Sequence, residues 1–193
     1  MAGRARGMWE AYCSGTLPVG AVVVSPTGDV VARGRNRIAD AHAGSVVGSR
    51  LAHAEVMALE QLPATTSYRD HTLYSTLEPC LLCYGATAMS RVGSIRFAAA
   101  DPYSGACTAS IDIPILRRKP LNVGGPVAGW PARLSEALVV DFLTHRGRPE
   151  TLHVVEPFPA ASHLAARRLA ASGRPFGGSL RNALPELLDL VIG

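Results

Sequence analysis

Leu77-Glu78-Pro79-Cys80-Leu81-Leu82-Cys83, taken together with Ala52-His53-Ala54-Glu55 upstream, decides how this chain is read. Two cysteines three residues apart, after a proline suited to the first position of a helix, put two sulfurs on one face of that helix's first turn. The free N–H groups and positive dipole end of the turn favour thiolate over thiol, and thiolate is the form that ligates zinc. His53 supplies a third ligand. Three protein ligands with one position open is the pattern of catalytic zinc, because structural zinc is normally closed by four Cys or His side chains. Glu55, two residues beyond His53, can then lie beside a metal-bound water and move its proton without binding the metal.

Each half of the pattern has a plainer reading. A lone C-x-x-C also suits a redox pair or half of a structural zinc site, and a lone H-x-E recurs by chance. Here the halves stand in order, with Pro79 directly before Cys80 and room between them for a helix and a strand. Together they match the H-x-E, then P-C-x-x-C signature of zinc nucleobase deaminases. The chain resembles the cytidine deaminase-like superfamily, in the branch of tRNA adenosine deaminase, guanine deaminase and related nucleoside deaminases. The matching text is Pro18 to Val24, Gly34-Arg35-Asn36-Arg37, Ala52 to Leu59, Thr72 to Cys80, and on through Cys83 to Ser90-Arg91-Val92-Gly93. It covers about residues 8 to 105 and fades beyond them.

Two departures bear on substrate. Where the family often has Asp-Pro-Thr before Ala-His-Ala-Glu, Val46 to Leu51 reads Val-Val-Gly-Ser-Arg-Leu in a longer loop. In the tRNA enzymes the helix that ends the domain finishes in a strongly basic run, whereas Asp141 to Gly147 is only mildly basic.

With 193 residues the chain holds one ordinary domain plus an appendage. Hydrophobic residues make up 48% and charged residues 18%, which excludes general disorder, and no apolar run approaches the roughly 18 residues a membrane span needs. The basic start, Met1 to Gly7, is followed by no signal-peptide core, so a cytoplasmic location is expected. Cys13 and Cys107 are isolated and read as small, partly buried apolar side chains rather than as a disulfide framework. A net charge of +4 permits nucleic-acid binding without demanding it.

Along the chain, Arg4 to Cys13 reads as a short helix, and Val19 to Val24 and Val30 to Gly34 read as a hairpin about the Ser25-Pro26-Thr27-Gly28 turn. Asn36 follows at the exit of the second strand, where a carboxamide offers both donor and acceptor to a base edge or simply closes a loop. The loop Ile38 to Arg50, with His42, Gly44, Ser45, Gly48 and Ser49, is a candidate lid. Leu51 to Leu62 has helical spacing, stopped by Pro63. Thr72 to Leu77 is a strand, Pro79 to Ser90 the second ligand-bearing helix, and Ile95 to Ala100 the next strand. This alternation predicts a layered α/β domain with helices over a mixed sheet.

Asp101 and Tyr103 lie just past a strand end, where substrate groups collect in open α/β sheets, and are candidates to touch a sugar, a base or a neighbouring subunit. Ile111 to Pro120, with Arg117-Arg118-Lys119, reads as a solvated loop, Leu121 to Val123 as a short fifth strand, and Ser135 to His145 as a helix. Beyond Arg146, Leu152 to Val155 reads as a strand, and Ser162 to Ala171 and Leu184 to Ile192 as helices.

The resemblance implies a three-layer α/β/α cytidine deaminase-like fold with a mixed five-stranded sheet over residues 1–146, and residues 147–193 form an α-rich C-terminal extension packed on it. It implies Zn2+ on His53, Cys80 and Cys83, Glu55 as proton carrier, and a base held by Asn36, the backbone at Ala54 and the carbonyls near Glu78. It further implies a homodimer, with Tyr103 and Arg117 to Lys119 as candidate contacts. The expected reaction is hydrolytic deamination of a small nucleobase or nucleoside, with tRNA adenosine-to-inosine editing as the alternative. A zinc-stabilised binding protein without catalysis is the third reading, and Glu55 argues against it, since a purely structural site needs no carboxylate there.

Overall fold

The computed structural model describes residues 2–42, 46–109, 112–146, 149–173 and 178–192. Gly44 and Ser45 of the expected lid, Ile111 and Gly147 lie outside them. The order is α1 (Ala2–Cys13), β1 (Gly20–Val24), β2 (Val30–Arg35), α2 (Ala54–Leu59), β3 (Thr72–Leu77), α3 (Leu81–Met89), β4 (Ser94–Ala99), α4 (Pro114–Arg118), β5 (Asn122–Gly124) and α5 (Trp130–His145). A 3-10 turn over Pro149–Val154 then leads to α6 (Ala160–Ala171) and α7 (Leu180–Ile192).

The five strands run β2-β1-β3-β4-β5, antiparallel on the hairpin side and parallel from β3 to β5. The β-branched run of β1 lies inside the sheet, with its first four residues buried, so both of its faces need cover. Two glycines reveal what covers them. Gly20 pairs with Arg35 and Ala21 with Gly34, so Gly20 and Gly34 point to opposite faces. A Cβ on Gly20 would strike the backbone of Arg4 and Met8 in α1, and a Cβ on Gly34 would strike that of Ala54 and Ala58 in α2. Helices α1 and α2 therefore sandwich the sheet at closest approach. The result is the expected mixed sheet between helical layers.

One core lies against the sheet, around Val23, Leu73, Ile95, Phe97 and Val140. A second joins Met8 and Tyr12 of α1 to Leu134 and Leu138 of α5, and these to Leu169 of α6 and Leu187 of α7. The row Leu134, Leu138, Phe142 thus faces inward as its four-residue spacing requires. No helix among the described residues is long and apolar enough to cross a membrane.

Several element readings need correction. Leu152 to Val155 is not a strand: Val155 N–H donates to Leu152 O and Phe158 N–H to Val155 O, and these local turns bury Val155 and Phe158 in the sheet core. Three apolar residues around His153 carry no periodicity that could separate the two outcomes. Helix α7 begins at Leu180 rather than near Pro185, because Ser179 caps it through the Asn182 N–H. Helix α5 begins at Trp130, with Pro131 tolerated in the first turn, where backbone N–H groups have no helical acceptor. The presumed loop containing Arg117 to Lys119 holds the short helix α4, and those three cations face solvent.

Candidate metal centre and active site

The two ligand-bearing helices are shorter than their spacing suggests, and the ligands sit at their boundaries. His53 and Cys80 are the N-cap residues of α2 and α3, both in extended conformation. Pro79 is therefore outside the helix instead of at its first position. It sets the approach of the chain, and Cys83 falls at the third helical residue, one turn above Cys80. Strand β3 delivers Cys80 from the sheet end next to which α2 begins.

His53 Nδ1, Cys80 Sγ and Cys83 Sγ form a triangle with sides of 3.6, 3.7 and 3.5 Å. Zn–S bonds of about 2.3 Å and Zn–N bonds of about 2.0–2.1 Å correspond to tetrahedral edges of about 3.8 Å for S···S and about 3.5–3.6 Å for S···N. The triangle is one face of such a tetrahedron, so the donor set fits zinc. These three make up the single candidate metal cluster among the described residues. Their mutual hydrogen bonding pulls the Cys80 thiol down to about 4 while the Cys83 thiol is pushed up, first by Cys80 and then by burial. A divalent cation bound here would displace the thiol protons, since ligating cysteines are thiolates.

Glu55 is buried in the first turn of α2 and reaches the same corner. Its Oε1 accepts from Ser75 Oγ at 2.8 Å, and its Oε2 lies 3.3 Å from Cys83 Sγ. Burial raises its pKa above the ordinary carboxylate value. Ser75 was not singled out in the sequence. Strand register places it there: Ser75 of β3 pairs with Ala21 of β1, which pairs with Gly34, so Ser75 shares the face that α2 covers.

A cavity of about 60 Å3 opens on the triangle, lined among others by Leu17, Asn36, Leu77, Glu78, Asp101 and Ser104. Among the described residues no lysine or arginine lines it. Asn36 is sealed at its base, with Oδ1 accepting from Thr16 Oγ1 at 2.6 Å and from the Ile38 N–H at 3.1 Å. The backbone donor fixes the amide orientation, leaving Nδ2 as the group free to donate. Ala54 lines the cavity with its neighbours.

Glu78 does a different job from the one its position suggested for the carbonyls around it. Its carboxylate accepts from the N–H groups of Asp101 at 3.3 Å and Cys107 at 3.0 Å, fastening residues 101–107 over the start of α3. Gly105 bridges to Cys80, and any Cβ there would collide with the Glu78 carboxyl. The carboxylate of Asp101 is occupied with its own turn, accepting from the Tyr103 and Ser104 N–H groups. Tyr103 is exposed and turns away from the cavity, its hydroxyl 3.0 Å from His153 Nε2. In the expected lid, His42 bonds to Val47 O and does not line the cavity, while Val47 and Ala52 pack with Met57. Cys107 is unpaired, its thiol pushed up to about 12 by burial first and by the Glu78 carboxylate second.

Removal of the loop fastener gives a test. Glu78→Ala strands two backbone donors and is expected to lower the stability of the zinc-loaded protein by about 2–4 kcal/mol. Urea unfolding checks this, and an unchanged midpoint would mean that water satisfies those donors.

The cytidine and deoxycytidylate deaminase zinc-binding region, as a family model, matches residues 4–99. The chain belongs to the cytidine deaminase-like superfamily. It is 35% identical over 165 residues to a tRNA(Ile)-lysidine synthase of Deinococcus radiodurans, covering 82% of this chain and 27% of that protein. To the tRNA-specific adenosine deaminase of Bacillus subtilis it is 36% identical over 105 residues, covering 53% of this chain and 60% of that one. The chain thus spans under two thirds of the length of both relatives. A solved structure from a study of A-to-I editing by tRNA:A34 deaminases superposes with a TM-score of 0.51 at 26% identity, over 62% of this chain and 91% of that one. The ligand triangle lies within the matched residues of a zinc-binding family, so zinc is the metal it holds.

Proposed function

We propose that this superfamily member is a hydrolytic deaminase that releases ammonia from an amino-substituted nucleobase, free or in a nucleoside. The observation that carries the reading is the ligand triangle with a buried, non-ligating carboxylate 3.3 Å from one of its corners. Zinc held by His53, Cys80 and Cys83 supplies Lewis acidity that brings the pKa of a water toward neutrality. Glu55, oriented by Ser75, takes one proton from the attacking water and gives it to the ring nitrogen as the oxygen adds to the carbon, then takes the second proton from the hydroxyl of that adduct and gives it to the amino group, which leaves as ammonia as the C–N bond breaks. Asn36 Nδ2 donates to an acceptor on the base edge, Ala54 lies against the base, and Leu17 and Leu77 exclude water from its faces. Asp101 and Ser104 close the rim.

Two observations favour a small neutral substrate. Among the described residues no lysine or arginine lines the cavity. The cation that ends α5, though exposed, is engaged by α1: Arg146 Nη1 donates to Tyr12 O, and its guanidinium lies over the Tyr12 ring. The second reading, tRNA adenosine deamination, is favoured by the named activity of the B. subtilis relative and by a groove along β2 that contains Arg6, Arg33, Arg35 and Arg37. Three of these arginines already pair with Glu10 or Asp40.

Ammonia release from purine and pyrimidine bases, their nucleosides and an anticodon stem-loop, assayed side by side, separates the readings. A base or nucleoside is expected to be the best substrate, with little dependence on salt. Turnover of the stem-loop far above every small substrate, with binding that weakens steeply in salt as phosphate contacts are lost, would establish the second reading instead. Silence on all of them would remove the deaminase proposal.

A further inference from the structure

On the α1 face of the sheet, at the hairpin end and away from the metal triangle, lies a cavity of about 280 Å3. Gly3, Arg4, Val22, Val24, Val30 and Tyr74 line it. Register explains the grouping: Val22 pairs with Tyr74 and Val24 with Val30, so these side chains share the face that Gly20 presents to α1. The metal triangle sits at the other end of β3, on the α2 face.

Arg4 is the unusual member of this lining. It is only 6% exposed, and its guanidinium lies 5.4 Å from the centroid of the Tyr74 ring. Among the described residues no carboxylate, carbonyl or hydroxyl accepts a hydrogen bond from it. Among the described residues no sealed side-chain nitrogen or oxygen lacks a partner, so the Arg4 nitrogens are not shut in protein, and Arg4 lines the cavity. Burial lowers the guanidinium's pKa from its ordinary value, the mark of a cation short of counter-charge. The Tyr74 face offsets part of that deficit and satisfies none of the five N–H donors. Gly3 and Arg4 also belong to the first turn of the twelve-residue helix α1, where backbone N–H groups have no helical acceptor.

We propose that this cavity binds an oxyanion, carboxylate or phosphate, joined to an apolar group. The anion pairs with the Arg4 fork, for which two-pronged oxyanions are the matching shape. The apolar part rests on Val22, Val24, Val30 and the Tyr74 ring. The site is separated from the metal centre by the sheet and does not depend on the reaction proposed there.

Thermal unfolding of the zinc-loaded full chain tests it, with inorganic phosphate and benzoate as probes and chloride at matched ionic strength as control. A probe at ten times its dissociation constant is expected to raise the midpoint by about 3–6 °C. Arg4→Met should abolish the rise without lowering the unliganded midpoint, because the stem still covers Tyr74 and the uncompensated charge is gone. Val30→Glu, which places a carboxylate in the cavity, should raise the unliganded midpoint and also abolish the response. A larger response to phosphate or to benzoate identifies which oxyanion source the site prefers. No response to either probe in the wild-type protein, or the same response in Arg4→Met or Val30→Glu, overturns the proposal.

Discussion

Glu55→Gln is expected to bind one zinc per chain, to fold as the wild type does, and to lose about 10²–10⁴-fold in turnover, equivalent to about 3–5 kcal/mol of barrier. The retained fold follows from the site. A glutamine carbonyl still accepts from Ser75 Oγ, and its amide can donate to Cys83 Sγ where the carboxylate now sits. The substitution also removes a charge from a fully buried position, so stability should hold or rise. Metal analysis, urea unfolding and ammonia release on the best substrate give the three readouts. Wild-type turnover in this variant would remove Glu55 from the mechanism.

Cys83→Ala should behave in the opposite way. Cys83 supplies one corner of the triangle from the third residue of α3, and His53 and Cys80 alone leave two ligands at the boundaries of two short helices. Zinc content should fall well below one per chain, and turnover should be lost with it. Because metal binding free energy is also folding free energy, the unfolding midpoint should drop to that of chelator-treated wild type. The alanine itself leaves a small void at a buried position, a minor loss beside that of the ion. A variant that retained stoichiometric zinc would show that another side chain completes the site. Taken together, the two substitutions separate a catalytic zinc from a structural one, since a structural site would tolerate the Glu55 change in every assay.

Local chemistry explains why the metal centre could be read in advance. The identities of His53, Cys80 and Cys83 and the offset of Glu55 are properties of short segments, and short segments have few ways to present such side chains. Helix boundaries were less legible. His53 and Cys80 turned out to be N-caps because the chain must leave the sheet in extended conformation before it can wind, and Pro79 prolongs that approach. The strand expected at Leu152 to Val155 failed because local turns bury Val155 and leave Leu152 and His153 exposed, a pattern that four residues are too few to reveal.

The sequence by itself determined the donor set for zinc, the carboxylate of Glu55 beside it, the hairpin and the α/β alternation, because each depends on residue type and spacing along one or two adjoining segments. Only the tertiary structure decided what the remaining polar groups do. Ser75 orients Glu55 across 20 residues, Thr16 donates to the Asn36 carbonyl oxygen across 20, and Glu78 fastens a loop 23 to 29 residues away. Arg4 is left facing a cavity walled by three strands. Such partnerships arise from strand register and from which face of the sheet each helix covers, and no local spacing encodes either.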